Sequence, residues 1–219
     1  KFQVSFKYQV FNPEGELAKA FWPVAGIHVA YTQTSLWDLE ADSAPFFDSS
    51  YKPELLWVMP EVQFDKGPVS RLGLQVGFEH ESNGKGGADS RSLNFAYVRP
   101  SITFGDRADG WFATVAPKLQ AYVIGFDQGN ADITDYRGFG ELSLIVGKRN
   151  GLQLRTTAWI GDDWDKGSVQ LDLSYPIGPL VGKNVDLYLH AQYFNGFGES
   201  LLQYNESTSI FRVGLSIVR

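Results

Sequence analysis

Residues 71–104 read RLGLQVGFEHESNGKGGADSRSLNFAYVRPSITF, and this stretch decides the fold. Leu72, Leu74, Val76 and Phe78 alternate with Arg71, Gln75, Glu79 and Glu81, the period-two pattern of a strand with two unlike faces. A polar, glycine-rich run from Asn83 to Ser90 supplies turn chemistry. A second alternation follows, in which Asn94 opens a row continued by Ala96, Val98, Ile102 and Phe104. The pair reads as an antiparallel hairpin. If its loop closes symmetrically about Gly87, opposite residues have numbers summing to about 174. His80 then faces Asn94, and Ser82 faces Ser92.

The same alternation runs outward in both directions. Phe2, Val4, Phe6, Tyr8 and Val10 interleave with Lys1, Gln3, Ser5, Lys7 and Gln9. Val169, Leu171, Leu173 and Tyr175 oppose Gln170, Asp172 and Ser174, and Val185, Leu187, Leu189, Ala191 and Tyr193 oppose Asp186, Tyr188, His190 and Gln192. Turn signals cut the chain into eleven strands, near 1–11, 20–38, 51–64, 70–82, 91–105, 110–125, 135–148, 152–163, 167–177, 184–204 and 208–219. Such strands are long enough for a tilted membrane crossing, which takes roughly 9–11 residues. Soluble sandwiches, whose alternation also has period two, use strands of about five or six. Short connections (65–69, 105–110, 149–151) alternate with longer ones (39–50, 83–90, 126–134), the layout of an outer-membrane barrel. Trp22, Trp37 and Trp111 fall near strand ends, where interfacial girdles sit.

The expected fold is therefore all-β: one antiparallel transmembrane β-barrel domain over 1–219. Single-chain bacterial barrels have even strand numbers, so one strand and a few C-terminal residues are expected to lie outside this sequence. Composition agrees. Nineteen Lys and Arg against 25 Asp and Glu argue against a nucleic-acid binder, which carries a basic face. Cysteine is absent, which removes disulfides, thiolate metal sites and a Cys nucleophile. No window approaches the roughly 18 apolar residues of a spanning helix.

The lipid-facing row breaks at one place. If Leu72, Leu74, Val76 and Phe78 face hydrocarbon, so do His80 and Ser82, because side chains two apart share a face. Polar groups there are costly unless they serve a purpose. With Asn94 opposite His80, the group fits a nucleophilic triad: Ser82 as nucleophile, His80 as base, and Asn94 orienting the ring. Gly84 could aim a backbone N–H at a developing oxyanion. The bland alternative is that Ser82 merely begins a polar loop, since Ser-Asn-Gly is good turn chemistry by itself. His28 and His190 fall on the inward parity and read as members of a lumen network.

The run Gly77-Phe-Glu-His80-Glu-Ser82-Asn-Gly84, with Ser90-Arg91-Ser92 and Asn94, resembles the outer-membrane phospholipase A family of Gram-negative bacteria. Tyr31-Thr-Gln33-Thr-Ser35, Tyr51-Lys-Pro53-Glu54 and Gly196-Phe-Gly198-Glu199-Ser200 extend the resemblance along the chain. It implies a twelve-strand barrel, about eleven strands of which this chain covers. It also implies a calcium-dependent hydrolase of phospholipid acyl esters in the outer membrane, with A1, A2 and lysophospholipase activity, activated as a homodimer. The triad carries over onto Ser82, His80 and Asn94, and the oxyanion amide onto Gly84. The implied Ca2+ ligands are the Lys85 carbonyl, the Ser90 hydroxyl and a partner's Ser43 carbonyl, and Gln33 falls on the implied dimer face. An arginine is common where Lys85 stands. Gly87 replaces an acidic residue of a second calcium site, and Asp89 stands nearby. The competing function is a non-enzymatic barrel, a porin or anchor, which has no reason to keep His80, Ser82 and Asn94 on the lipid face.

Overall fold

The computed structural model describes residues 1–39, 41–106, 110–123, 129–178, 182 and 185–217. Its strands are β1 (Phe2–Gln9), β2 (Ile27–Trp37), β3 (Phe46–Val58), β4 (Val62–Gln63), β5 (Val69–Ser82), β6 (Ser92–Gly105), β7 (Trp111–Tyr122), β8 (Gly140–Lys148), β9 (Gln153–Ile160), β10 (Gly167–Pro176), β11 (Tyr188–Phe197) and β12 (Ser207–Ser216). Eleven of them follow one antiparallel path in chain order, and the two-residue β4 lies beside β5 off that path. Among the described residues no helix is long and apolar enough to cross a membrane. The result is a barrel-like, all-β antiparallel sheet.

The alternation read from the sequence is the wall of this barrel. Val76 and Phe78 are 44% and 45% exposed, whereas Glu79 and Glu81, on the opposite parity just beyond them, are buried. Outward apolar side chains meet lipid and inward polar ones meet each other. The lumen is laced with ion pairs: Lys118 to Glu79 at 3.0 Å, Arg137 to Glu81 at 2.8 Å, and Arg99 to Glu141 at 3.4 Å. His190 belongs to this interior, its Nε2 lying 2.9 Å from Asp172. His28, also inward, bonds locally to the Gly26 carbonyl at 2.8 Å. Trp37 is exposed at one end of the wall, and Trp22 and Trp111 at the other.

Strand ends differ from the sequence reading, each for a physical reason. The expected strand 20–38 begins only at Ile27, because Glu16–Ala20 forms a short helix (α1) and Trp22–Gly26 a 3-10 turn. Leu17 and Phe21, four apart, suit a helix face rather than alternation. The expected strand 51–64 starts earlier, at Phe46, and ends at Val58. The expected strand 135–148 starts at Gly140, after a helix over Thr134–Arg137 (α2). The expected strand 184–204 is β11 alone, and the chain then turns over the end of the lumen. The far ends of the expected strands 110–125 and 208–219 and the start of 184–204 lie outside the described residues, as does much of the 105–110 turn.

Those turns make a plug. Ile133 and Leu201 are fully buried and pack with Leu93, Phe95, Tyr97 and Tyr204. Tyr204 donates to Asp132, and Ser200 and the Leu202 amide both donate to Asp48 at 3.0 and 2.9 Å. Burial, then that Asp132 bond, hold the Tyr204 phenol above its ordinary pKa.

Candidate active site

The register of β5 against β6 pairs His80 with Asn94 and Ser82 with Ser92, as the symmetric loop closure requires. Strand geometry then puts His80, Ser82 and Asn94 on one outward face, continuous with Val76, Phe78 and Ala96. His80 Nδ1 lies 2.8 Å from Asn94 Oδ1. An amide oxygen only accepts, so with this amide orientation Nδ1 carries the proton and Nε2 presents a lone pair. The base end of the ring is thereby free to take a proton. All three side chains are half-buried, partly shielded from water yet reachable from the bilayer side.

The loop after Ser82 is organised by Asn83, a residue the sequence reading took only as turn chemistry. Its Oδ1 accepts from the Lys85 and Arg91 amides at 3.3 and 3.0 Å, and its Nδ2 donates to the Asp89 carbonyl at 2.8 Å. Asn83 is itself buried. Three bonds from one side chain fix the path from Gly84 to Arg91. Gly84 has φ of +68°, a left-handed conformation, and a Cβ there would lie 2.9 Å from the Tyr51 ring. Only glycine fits both demands.

Lys85 and Ser90 lie on this loop, and Ser43 lies before β3 with φ of +66°. The loop touches the start of β3: Lys85 Nζ donates to the Phe47 carbonyl at 3.0 Å. That contact draws the ammonium toward β3. The Ser90 carbonyl is taken by Arg91 at 2.9 Å, while no hydrogen bond engages its hydroxyl among the described residues. Carbonyl and hydroxyl oxygens are hard donors of the kind calcium takes, so the donor chemistry fits Ca2+. The charges of Lys85 and Arg91 close by weaken the fit.

Outward of the triad, the register sets Val4, Gln33, Tyr51, Ser82 and Ser92 in one row across five strands. Gln33 belongs to a polar ladder on this outer surface. Tyr31 donates to it at 3.1 Å, it donates to Ser35 at 3.3 Å, and Ser35 meets Ser49 at 2.8 Å. A barrel wall that carries a His–Asn pair and a bonded polar ladder on its outward rows differs from one that meets lipid with apolar side chains alone.

A family model described as Phospholipase A1 matches residues 1–217. The phospholipase A1 of Escherichia coli (strain K12) is 33% identical over 221 residues, covering 100% of this chain and 68% of that protein. The outer membrane phospholipase A of Escherichia coli, solved as an active-site mutant with an asparagine replaced by alanine, superposes with a TM-score of 0.77 at 26% identity. That match covers 98% of this chain and 76% of the other. The Salmonella typhi outer membrane phospholipase, solved as a dimer with bound calcium, gives 0.78 at 26% identity, with the same coverage of 98% and 76%. This chain belongs to the phospholipase A1 family, the outer-membrane phospholipases, and these are carboxylic ester hydrolases.

Proposed function

We propose that this protein is a calcium-dependent serine hydrolase that cleaves phospholipid acyl esters at the lipid-facing surface of a single barrel domain. The observation that carries the reading is the His80–Asn94 bond of 2.8 Å on the outward face that also holds Ser82. Ser82 Oγ attacks the ester carbonyl carbon as its proton passes to His80 Nε2. Asn94 holds the imidazole through Nδ1 and supplies orientation rather than charge. The Gly84 amide, fixed by the left-handed turn and by Asn83, donates to the tetrahedral oxyanion. The oxyanion then collapses, the leaving alcohol takes the proton from His80, and water later releases the acyl group by the same route. Nothing in this chemistry separates the two ester positions, and the reading includes A1, A2 and lysophospholipase activity.

A single outer face has no second wall for an acyl chain. A second copy against the same face supplies one, and Tyr31, Gln33 and Ser49, with Ser35 buried behind them, give that surface polar groups to pair. The calcium-bound dimer of the Salmonella typhi relative supports both parts of this reading. The Lys85 carbonyl and the Ser90 hydroxyl of one copy, with the Ser43 carbonyl of the partner subunit, would hold the ion. Three protein oxygens leave water to complete a shell of six to eight, so affinity is modest. Bound there, calcium would supply positive charge that favours an oxyanion and would tie the two copies together.

The test is phospholipid hydrolysis by the refolded protein with calcium or with EDTA, beside cross-linking of the same samples. Calcium and dimerisation share a site and strengthen one another, so chelation lowers both activity and the cross-linked fraction. Ser90→Ala raises the half-saturating calcium concentration roughly tenfold, the cost of one strong oxygen contact. Full activity in a monomeric, calcium-free sample removes the shared site and leaves the triad standing.

A further inference from the structure

Glu81 lies between His80 and Ser82, and alternation sends its side chain the opposite way, into the lumen. It is 2% exposed, the most buried carboxylate among the described residues. Three groups converge on it from two elements. Arg137 on α2 donates at 2.8 Å, Ser50 on β3 donates at 2.7 Å, and Lys52 on β3 lies 3.3 Å away. Arg137 is anchored in turn, its other guanidinium nitrogen donating to the Gly198 carbonyl at 2.8 Å. The chain of contacts therefore runs from the 198–206 turn through α2 to the one backbone residue that separates base from nucleophile. Glu79, on the other side of His80, is clamped as well, by Lys118 on β7 at 3.0 Å.

The facing strand is held differently. Leu93 and Phe95 flank Asn94 and point inward into the apolar plug with Ile133 and Leu201. His80 is thus braced from behind by charge, and its partner Asn94 by packing. Neither brace touches the outer face. A buried carboxylate with three donors is stable only while all of them stay in place, because losing one leaves charge uncompensated. The arrangement consequently resists rotation of the 80–82 backbone, and such rotation would swing His80 and Ser82 together.

We propose that Glu81, held by Arg137, Lys52 and Ser50, is a positioning residue that sets the relation of Ser82 to His80 from inside the barrel. The inference rests on the Ser82–His80–Asn94 reading and extends it through the wall. The plug at the mouth of the lumen is then part of the reaction's geometry, transmitted by the Arg137–Glu81 pair.

The test uses the refolded protein in detergent micelles with a sulfonyl fluoride as probe, because labelling reports the nucleophile without ester binding. Folded protein is scored by its heat-dependent gel mobility, and only that fraction is compared. Glu81→Gln should lower the labelling rate and kcat together by roughly tenfold, with KM within twofold, the signature of misplacement rather than lost binding. Arg137→Lys, which keeps a charge for Glu81 but loses the fork that ties Glu81 to the Gly198 carbonyl, should fall between Glu81→Gln and the parent. Asp172→Asn breaks lumen contacts of the same kind on β10 and should leave the labelling rate unchanged. Parent-like labelling in folded Glu81→Gln overturns the inference, as does an equal loss in Asp172→Asn. If Glu81→Gln does not fold, Arg137→Lys decides: a parent-like rate overturns the inference and a reduced one sustains it. Ser82→Ala separates the two levels, for labelling that persists there fails the triad reading itself.

Discussion

Two hairpins of this barrel face the same hydrocarbon and treat it differently. On β8 and β9 the outward row is Leu142, Leu144 and Val146 opposite Ala158, Thr156 and Leu154, with one hydroxyl and no ionisable group. On β5 and β6 the outward row starts the same way, with Val76 opposite Val98 and Phe78 opposite Ala96, and then turns to His80 opposite Asn94 and Ser82 opposite Ser92. The first hairpin closes through the short 149–152 turn, the second through a loop tied at three points to Asn83. Polar groups in hydrocarbon cost a few kcal/mol unless satisfied. The second hairpin meets part of that cost by bonding His80 to Asn94 at the end of the strands, beside the wet rim. The His–Asn pair on the lipid face thus sits where a polar loop begins.

The sharpest way to break the contrast is to remove the nucleophile. Ser82→Ala should lower hydrolysis by roughly 10³-fold or more and abolish sulfonyl fluoride labelling, with the gel mobility of the folded barrel unchanged. Substantial activity in folded Ser82→Ala would make the two hairpins chemically equivalent. Next comes the orienting residue. Asn94→Ala should cost about 10²-fold in kcat, whereas Asn94→Asp, which can still accept from Nδ1, should cost much less. Equal losses in the pair would mean that the neutral amide does something besides hold the ring. Gly84→Ala introduces a Cβ against Tyr51 and strains a left-handed residue. It should cost roughly tenfold in kcat and about 1–3 kcal/mol of stability, read from denaturant titration. The smallest effect is expected at the other hairpin. Leu144→Ser places a hydroxyl on the plain lipid face and should leave turnover within about twofold, since a serine without a base there has no partner for chemistry.

The hairpin that carries the site was legible in the sequence because two constraints agreed. Alternation fixed which residues share a face, and the loop's closure about Gly87 fixed which residues oppose, so His80 and Asn94 met before any coordinates were needed. The strand boundaries at 20–26, 135–139 and 198–204 were not legible. The last two adjoin or form the plug that buries Ile133 and Leu201, the first is taken up by α1 and a 3-10 turn, and a period of two has no way to express either. The inward direction of Glu81 was visible in its parity, but its partner Arg137 is 56 residues away and contributes nothing to any local pattern. Asn83 hid behind a familiar turn dipeptide, and only its burial separates an organiser from a turn residue.

If His80 and Ser82 act as proposed, their outward aim also decides how the rate depends on composition. A lipid reaches these side chains by diffusing within its leaflet, not by arriving from bulk solution. The governing variable is therefore two-dimensional: the mole fraction of ester among the amphiphiles around the wall. Adding inert detergent at fixed total lipid lowers the rate although no molecule of substrate is removed, and adding more membrane of the same composition leaves it unchanged once all the protein is inserted.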